Sequence, residues 1–156
     1  MLFAASSVIG FAQQGPFVPF RIAARDLSIA TKSDPGFFTI GGNTPLTRVP
    51  ADSLAVIEFV TFDCQAAPPL AIVSAHVVVS TPTSKSPSTE YTLTINRQGT
   101  LVTGFVEKYS VSQTVRIYAD AGSDVYATFI ASAGANSEAK TASCNITITG
   151  WLLKNN

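Results

Sequence analysis

Apolar and polar residues alternate with a period of two along most of this chain, and no segment keeps a helical period over three turns. Because successive side chains of a strand point to opposite faces, this alternation predicts strands with one buried face. About eight to ten short strands follow one another, separated by turn residues. The pattern predicts an all-β protein, a two-sheet antiparallel sandwich of jelly-roll or Greek-key type.

Four segments show the alternation clearly enough to assign an inward face. The predicted inward residues are Val73, Ala75, Val77 and Val79; Val115, Ile117 and Ala119; Val125, Ala127, Phe129 and Ala131; and Ile146, Ile148 and Leu152. The residues between them, among them Arg116, Tyr118 and Thr147, are predicted to face outward.

The segment from Leu54 to Asp63 has two apolar faces, interrupted by Glu58. Strict alternation places Ile57 and Phe59 on one face and the remaining large residues on the other. A strand that is apolar on both sides is typical of a central position, covered by the domain or by a neighbouring subunit.

Two regions give weaker or more local patterns. In 17–29 the centre, 23–26, leaves a strand and a helical turn both open. Residues 97–100, which include Gly99, are typical of a hairpin turn between strands at 91–96 and 101–106.

Residues 2–12 form an uncharged apolar run, too short to span a bilayer as a helix. The run fits the central region of a signal peptide, and Gly10 and Ala12 supply the small residues of a cleavage site, although no Lys or Arg precedes it. The alternatives are an ordinary first strand or a strand donated to a neighbour. We expect residues 1–12 to be a signal peptide and 13–156 a single β-sandwich domain, secreted or periplasmic.

Cys64 and Cys144 are the two cysteines of the chain. Two cysteines cannot build a zinc site by themselves, and in an oxidising compartment such a pair usually forms a disulfide. The alternative is two buried free thiols in a reduced protein. The pairing and the export prediction support each other.

Charged residues make up 13% of the chain, and ten Lys and Arg balance ten Asp and Glu. A surface so poor in charge offers nothing that would attract nucleic acid, and little repulsion against self-association. We therefore expect no nucleic-acid partner and no membrane span in the mature chain, and we keep a homo-oligomer open.

His76 and Glu58 are the residues with catalytic potential, and both favour structural roles. His76, the single histidine, would need an orienting carboxylate and a nucleophile, and no serine lies in a nucleophile elbow. We expect a partly buried histidine with satisfied nitrogens. Glu58 would need a second carboxylate nearby, yet Asp63 lies on the opposite face unless the strand bulges. The favoured interpretations are a Glu at an exposed or interface position and a Glu paired with an arginine of the next strand, for which Arg116 is the candidate.

Asp120 and Asp124 flank a glycine-containing turn that does not complete a calcium-loop motif. Turn geometry accounts for both, so we expect no metal and no cofactor. Asn145 begins an N-glycosylation sequon, which applies only in a glycosylating host.

Tyr118, Tyr126 and Trp151 fall at outward positions. Exposed aromatic rings on a sheet can stack against sugar rings, and Tyr and Trp are also enriched in subunit interfaces. The three residues are the predicted ligand-binding residues, although the sequence does not show whether they are neighbours.

Three segments, 54–60, 115–125 and 144–151, resemble small exported bacterial proteins with a β-sandwich domain and no characterised function. The resemblance implies export and a sandwich and transfers no site residues. The sequence therefore predicts a non-enzymatic secreted module that binds a glycan or another cell-surface ligand; the alternative is a structural subunit of a homo-oligomer or filament.

Overall fold

The computed structural model describes residues 17–30, 36–41, 45–68, 70–81, 88–101, 106–133 and 141–154. The expected signal peptide, residues 1–12, lies outside this range. Ten strands and no helix occupy the described residues. The strands are β1 (Phe17–Ala30), β2 (Gly36–Gly41), β3 (Thr47–Arg48), β4 (Ser53–Ala66), β5 (Ala71–Ser80), β6 (Thr89–Leu93), β7 (Asn96–Leu101), β8 (Val106–Ala119), β9 (Asp124–Ala133) and β10 (Thr141–Lys154).

The strands form two antiparallel sheets that pack face to face, which confirms the predicted sandwich. The front sheet has the order β1-β10-β4-β8-β7, and the back sheet has the order β2-β9-β5-β6 with β3 beside β9. Without β7 and β3, this is the strand order of a jelly roll, in which two Greek keys interleave between the sheets.

The core lies between the sheets and is made of the alternating apolar residues. Ile57, Val60 and Ile148 of the front sheet and Val77 and Phe129 of the back sheet are fully buried. The ring of Phe62 packs edge-on against Phe129 at a centroid distance of 5.0 Å, which joins the two sheets. The inward faces predicted for β9 and β10 are confirmed.

Cys64 and Cys144 form the predicted disulfide. They lie directly opposite each other on β4 and β10, with their Cα atoms 4.1 Å apart, and both side chains belong to the buried core. The bond therefore connects two neighbouring inner strands of the front sheet across 80 residues of sequence.

A β-bulge at Glu58 changes the faces predicted for β4. Ile57 pairs with Gly150 and Phe59 with Thr149, so that Glu58 has no partner of its own on β10. Beyond the bulge the alternation is reversed: Phe59 is exposed, whereas Val60 joins Ile57 in the core. Strict period-two counting was wrong here because a bulge inserts one residue and moves the following side chains to the other face.

The same effect overturns one assignment on β5. The register shifts between Ile72 and Ser74, and the additional residue, Val73, is 48% exposed instead of inward. Ala75, Val77 and Val79 beyond it are buried as predicted.

The predicted hairpin turn at 97–100 is wrong. These residues belong to β7, which pairs with β8 in the front sheet, while β6 lies in the back sheet. Gly99 has a φ of 94° and lies where the register shifts, so the glycine serves a bulge and not a chain reversal.

Segment 17–29 is a strand throughout. The helical turn left open at its centre is absent; the register with β10 shifts between Ala24 and Leu27 instead.

Candidate ligand-binding face

Trp151 and Tyr118 lie on the same outer face of the front sheet. The strand register places Pro19, Trp151, Val56 and Tyr118 side by side across β1, β10, β4 and β8. Phe17 stands one row away and meets Trp151 edge-on, with ring centroids 6.3 Å apart. We call Phe17, Trp151 and Tyr118 the aromatic row; their exposed fractions are 55%, 37% and 51%.

Val56 forms the floor of the aromatic row. It points away from the core and yet is only 7% exposed. Its neighbours across the strands are Trp151 on one side and Tyr118 on the other. The two large rings therefore shield the smaller side chain between them, which leaves an apolar strip with an aromatic group at each end.

Glu58 fixes the orientation of Trp151. The indole Nε1–H donates a hydrogen bond to Oε2 of Glu58 at 2.8 Å. An indole has a single donor and no acceptor, so this bond satisfies its only polar group and holds the ring. Glu58 lies on the same outer face as Val56, and the bulge leaves it without a partner on β10, beside Trp151.

The predicted pairing of Glu58 with Arg116 is wrong: within the described residues, the partner of the carboxylate is the Trp151 indole. Glu58 and Arg116 nevertheless share a site. With Thr114 and Val115 they line an open depression of about 540 Å³ along one side of the aromatic row. The depression contains one carboxylate, one guanidinium and one hydroxyl group.

Gly150 allows β10 to approach β4 beside the bulge. A Cβ atom at this position would lie 2.0 Å from the carbonyl oxygen of Val56. No side chain fits in that space, so a glycine is required one residue before Trp151.

The outer face becomes polar towards the other end of the strands. Asp63, Asn145 and Thr147 line a shallow depression of about 530 Å³ together with residues of β1. The bulge places Asp63 on the same outer face as Glu58. Asp63 is nevertheless five residues further along β4, on the order of 15 Å at the rise of a strand. Glu58 and Asp63 are therefore too far apart for the paired carboxylates of a glycosidase.

Tyr126 does not join the other two predicted aromatics. It lies on β9 in the back sheet, half-buried beside Val78 on the opposite side of the sandwich. Phe17 and Val56, which complete the face, were not predicted. Their place follows from strand pairing alone, and no local sequence signal marks them.

His76 lies on the outer face of the back sheet and is 9% exposed. Its Nδ1 is 2.9 Å from a carboxylate oxygen of Glu90 and 3.3 Å from the hydroxyl of Thr92. Its Nε2 is buried without a hydrogen-bond partner, contrary to the expectation of two satisfied nitrogens. An orienting carboxylate is thus present, while within the described residues no hydroxyl is hydrogen-bonded to Nε2.

Asp120 and Asp124 belong to a tight turn, as predicted. The Ser123 N–H donates to the carbonyl of Asp120 at 3.0 Å, and Gly122 has a φ of 76°. Arg48 holds Asp124 through two hydrogen bonds of 2.7 and 2.8 Å, which lower the pKa of the carboxyl and raise that of the guanidinium. The described residues contain no group of three or more metal-ligating side chains.

An apolar cavity of about 250 Å³ opens between the sheets at the β1 edge. Phe20, Ile57, Val125 and Leu152 line it, and Arg21 and Arg48 are at its border.

Neither models of known protein families nor curated protein sequences give a match to this chain. Among solved structures, the chain is similar at 14% identity to a family two carbohydrate esterase from Cellvibrio japonicus. The similarity covers 88% of this chain and 36% of the esterase chain, with a TM-score of 0.22. A TM-score this low supports no conclusion about fold or activity. In the described part of the chain, no helix is long and apolar enough to cross a membrane.

Proposed function

We propose that the protein is a non-enzymatic, exported glycan-binding module whose binding surface is the aromatic row with the adjoining Glu58–Arg116 depression. The observation that carries the proposal is the meeting of Trp151 and Tyr118 on one exposed strip of a sheet, beside a carboxylate and a guanidinium. The residues come from three different strands, yet they form one surface.

The chemistry of a sugar ring fits this surface. A pyranose has apolar C–H faces, which pack on aromatic rings, and a rim of hydroxyls, which require hydrogen-bond partners. The row supplies the apolar area, and Glu58, Arg116 and Thr114 supply acceptors and donors at its side. Since Trp151 is held by Glu58, little rotamer freedom is lost on binding.

Export is the second part of the proposal. A buried disulfide is compatible with an extracellular or periplasmic location, where such bonds persist. The apolar run at 2–12 and the resemblance to exported β-sandwich proteins support the same location. Detection of the protein in culture medium or periplasm, with the chain starting at Gln13, tests this part; retention of intact protein in the cytosol would contradict it.

Affinity electrophoresis through gels that contain a panel of soluble polysaccharides tests the binding function. We expect retention by at least one polysaccharide and its loss in Trp151→Ala and Tyr118→Ala. Tyr126→Ala is the matched control, since it removes a tyrosine from the opposite side of the sandwich. Each variant is first shown to unfold like the native protein, so that lost retention reports the surface.

Two outcomes would overturn the binding proposal. One is the absence of retention on every polysaccharide of the panel. The other is equal loss in Tyr126→Ala and Trp151→Ala, which would show that the aromatic row is not the site.

A structural subunit of a homo-oligomer is the second candidate. Phe37 on the edge strand β2 is 78% exposed, and Val73 on the same outer face of the back sheet is 48% exposed. Sedimentation at increasing protein concentration tests it. A concentration-dependent oligomer that Phe37→Ser disperses would favour this function, and a monomer at the highest concentration would remove it.

A further inference from the structure

We infer that the aromatic row binds a single, unbranched, β-1,4-linked neutral glycan chain that crosses the strands, and that it does so in solution and not on a crystalline surface. The inference rests on the proposed glycan-binding function and specifies its ligand. It follows from the spacing of the two rings, the side chain between them, the twist of the sheet and the charges beside it.

The spacing comes from the strand register. Trp151 on β10 and Tyr118 on β8 are both paired with Val56 on β4, so they are separated by two inter-strand distances. At about 4.8 Å each, their Cα atoms lie on the order of 10 Å apart. This is comparable with the two-ring repeat of an extended β-1,4-linked chain, in which every second ring turns the same face to one side.

The floor between the rings fits the intermediate sugar. Val56 is a small apolar residue between Trp151 and Tyr118, its neighbours across the strands, so the middle ring meets a low apolar surface there. A chain that follows the row therefore stacks its first and third rings on Trp151 and Tyr118 and passes its second ring over Val56. Three sugar units are the shortest ligand that reaches both aromatic residues.

The twist of the sheet distinguishes free chains from crystalline ones. Adjacent strands are rotated by roughly 20 to 25°, so the surface at Tyr118 is turned by about 45° relative to the surface at Trp151. Chains in a crystalline polysaccharide present coplanar rings, which cannot lie flat on both surfaces. A single chain in solution can rotate about its linkages and follow the twist.

The charges beside the row favour a neutral ligand. Glu58 and Arg116 line the same depression with opposite charges, so the depression offers no net attraction for an anionic or a cationic polysaccharide. Both groups can instead hydrogen-bond to equatorial hydroxyls along one side of the chain: Arg116 is a donor, and the second oxygen of Glu58 is an acceptor.

Calorimetric titration with oligosaccharides of defined length tests the inference. The series uses β-1,4-linked glucose and xylose oligomers from two to six units, with α-1,4-linked glucose oligomers of the same lengths as the matched contrast. We expect the affinity for β-linked oligomers to rise by about tenfold or more between two and four units. Trp151→Ala and Tyr118→Ala each abolish the rise, and Tyr126→Ala leaves it unchanged.

A pull-down with insoluble crystalline cellulose completes the experiment, and we expect no depletion of the protein. If cellulose removed the protein from solution with an affinity equal to that for the soluble β-linked oligomers, the inference that the twisted surface excludes crystalline chains would be wrong. Equal or tighter binding of the α-linked series would overturn the β-1,4 assignment while the glycan-binding function stands. Failure of every oligosaccharide and every polysaccharide of the panel would overturn both.

Discussion

The outer faces of the two sheets differ although the same chain builds both. The front sheet has four strands of 14 residues, a disulfide between two neighbouring inner strands and an aromatic row whose tryptophan is held by a hydrogen bond. The back sheet has shorter strands, and its outer face carries Phe37 and Val73 as well as the buried imidazole of His76. Exposed apolar area is present on both faces. On the front face a hydrogen bond from Trp151 to Glu58 holds part of that area in place, whereas on the back face Glu90 and Thr92 contact the buried His76.

That difference separates the proposed binding surface from ordinary exposed apolar residues. Single exposed side chains such as Phe37 are common on soluble proteins and need no ligand. A site instead needs groups that keep their positions, and rigid strands provide this better than loops. The disulfide, the bulge and Gly150 all lie on the two strands that support Trp151 and Val56.

Removal of the disulfide is expected to have the largest effect on this comparison. In the chain-entropy model, a bond that closes an 80-residue loop stabilises the protein by about 4.5 kcal/mol. We therefore expect Cys64→Ala combined with Cys144→Ala to lower the free energy of unfolding by roughly that amount in a denaturant titration. The native protein under reducing conditions is the matched comparison. A loss below about 1 kcal/mol would show that the front sheet does not depend on its disulfide.

Gly150→Ala is expected to have the second largest effect. It should lower the free energy of unfolding by about 2 to 3 kcal/mol, because the added methyl group overpacks against β4. Gly99→Ala is the control, because a Cβ at Gly99 meets nothing within 4 Å and only the positive φ is unfavourable. We expect Gly99→Ala to lower the free energy of unfolding by about 1 kcal/mol. Thermal or denaturant unfolding measures both. Equal losses would contradict the close approach of β10 to β4, and retention of glycan binding in Gly150→Ala would show that Trp151 keeps its place without it.

Tyr109→Phe is expected to have the smallest effect, and the effect depends on pH. Burial and a hydrogen bond to Glu107 raise the pKa of Tyr109 to about 12. Because the folded pKa is above the unfolded one, the stabilisation is complete below pH of about 10 and is lost as the pH rises towards 12. At pH 7 we expect Tyr109→Phe to lower the free energy of unfolding by about 1 kcal/mol.

Denaturant titrations of Tyr109→Phe and the native protein between neutral pH and about pH 11 follow this loss. The difference in unfolding free energy should shrink as the pH rises. A difference that stays constant or grows would exclude the pKa shift. Since Glu107 also pairs with Arg97, the variant leaves that carboxylate with a partner.

The fold was largely predictable, because the strands of a sandwich show as alternating apolar and polar residues in the sequence. The strand from Asp124 to Ala133 alternates without interruption, and its inward residues are all buried. The prediction failed at bulges. An unpaired residue at Glu58 or Val73 reverses the alternation between the two sides of the bulge, which period-two counting does not allow for, and the bulge at Gly99 has the residues of a turn.

The candidate site was predictable in part. Exposed aromatics at outward strand positions identified Tyr118 and Trp151, and the same rule selected Tyr126, which lies on the other sheet. Alternation tells which face of its own strand a residue occupies and not which sheet the strand joins. Phe17, Val56 and the contact between Trp151 and Glu58 depend on register, which local sequence does not carry.

The sequence by itself thus determined the class of fold, most inward faces and the disulfide, because these depend on residue type and on periodicity along one strand. The tertiary structure alone decided that β10, β4 and β8 are neighbours, and therefore that Trp151, Val56 and Tyr118 form one strip beside Glu58. The physical reason is the jelly-roll connection: residues of the strip that touch across the sheet are separated along the chain by up to 95 positions, from Val56 to Trp151. Contacts over such separations are selected by the packing of the whole core and not by any local preference.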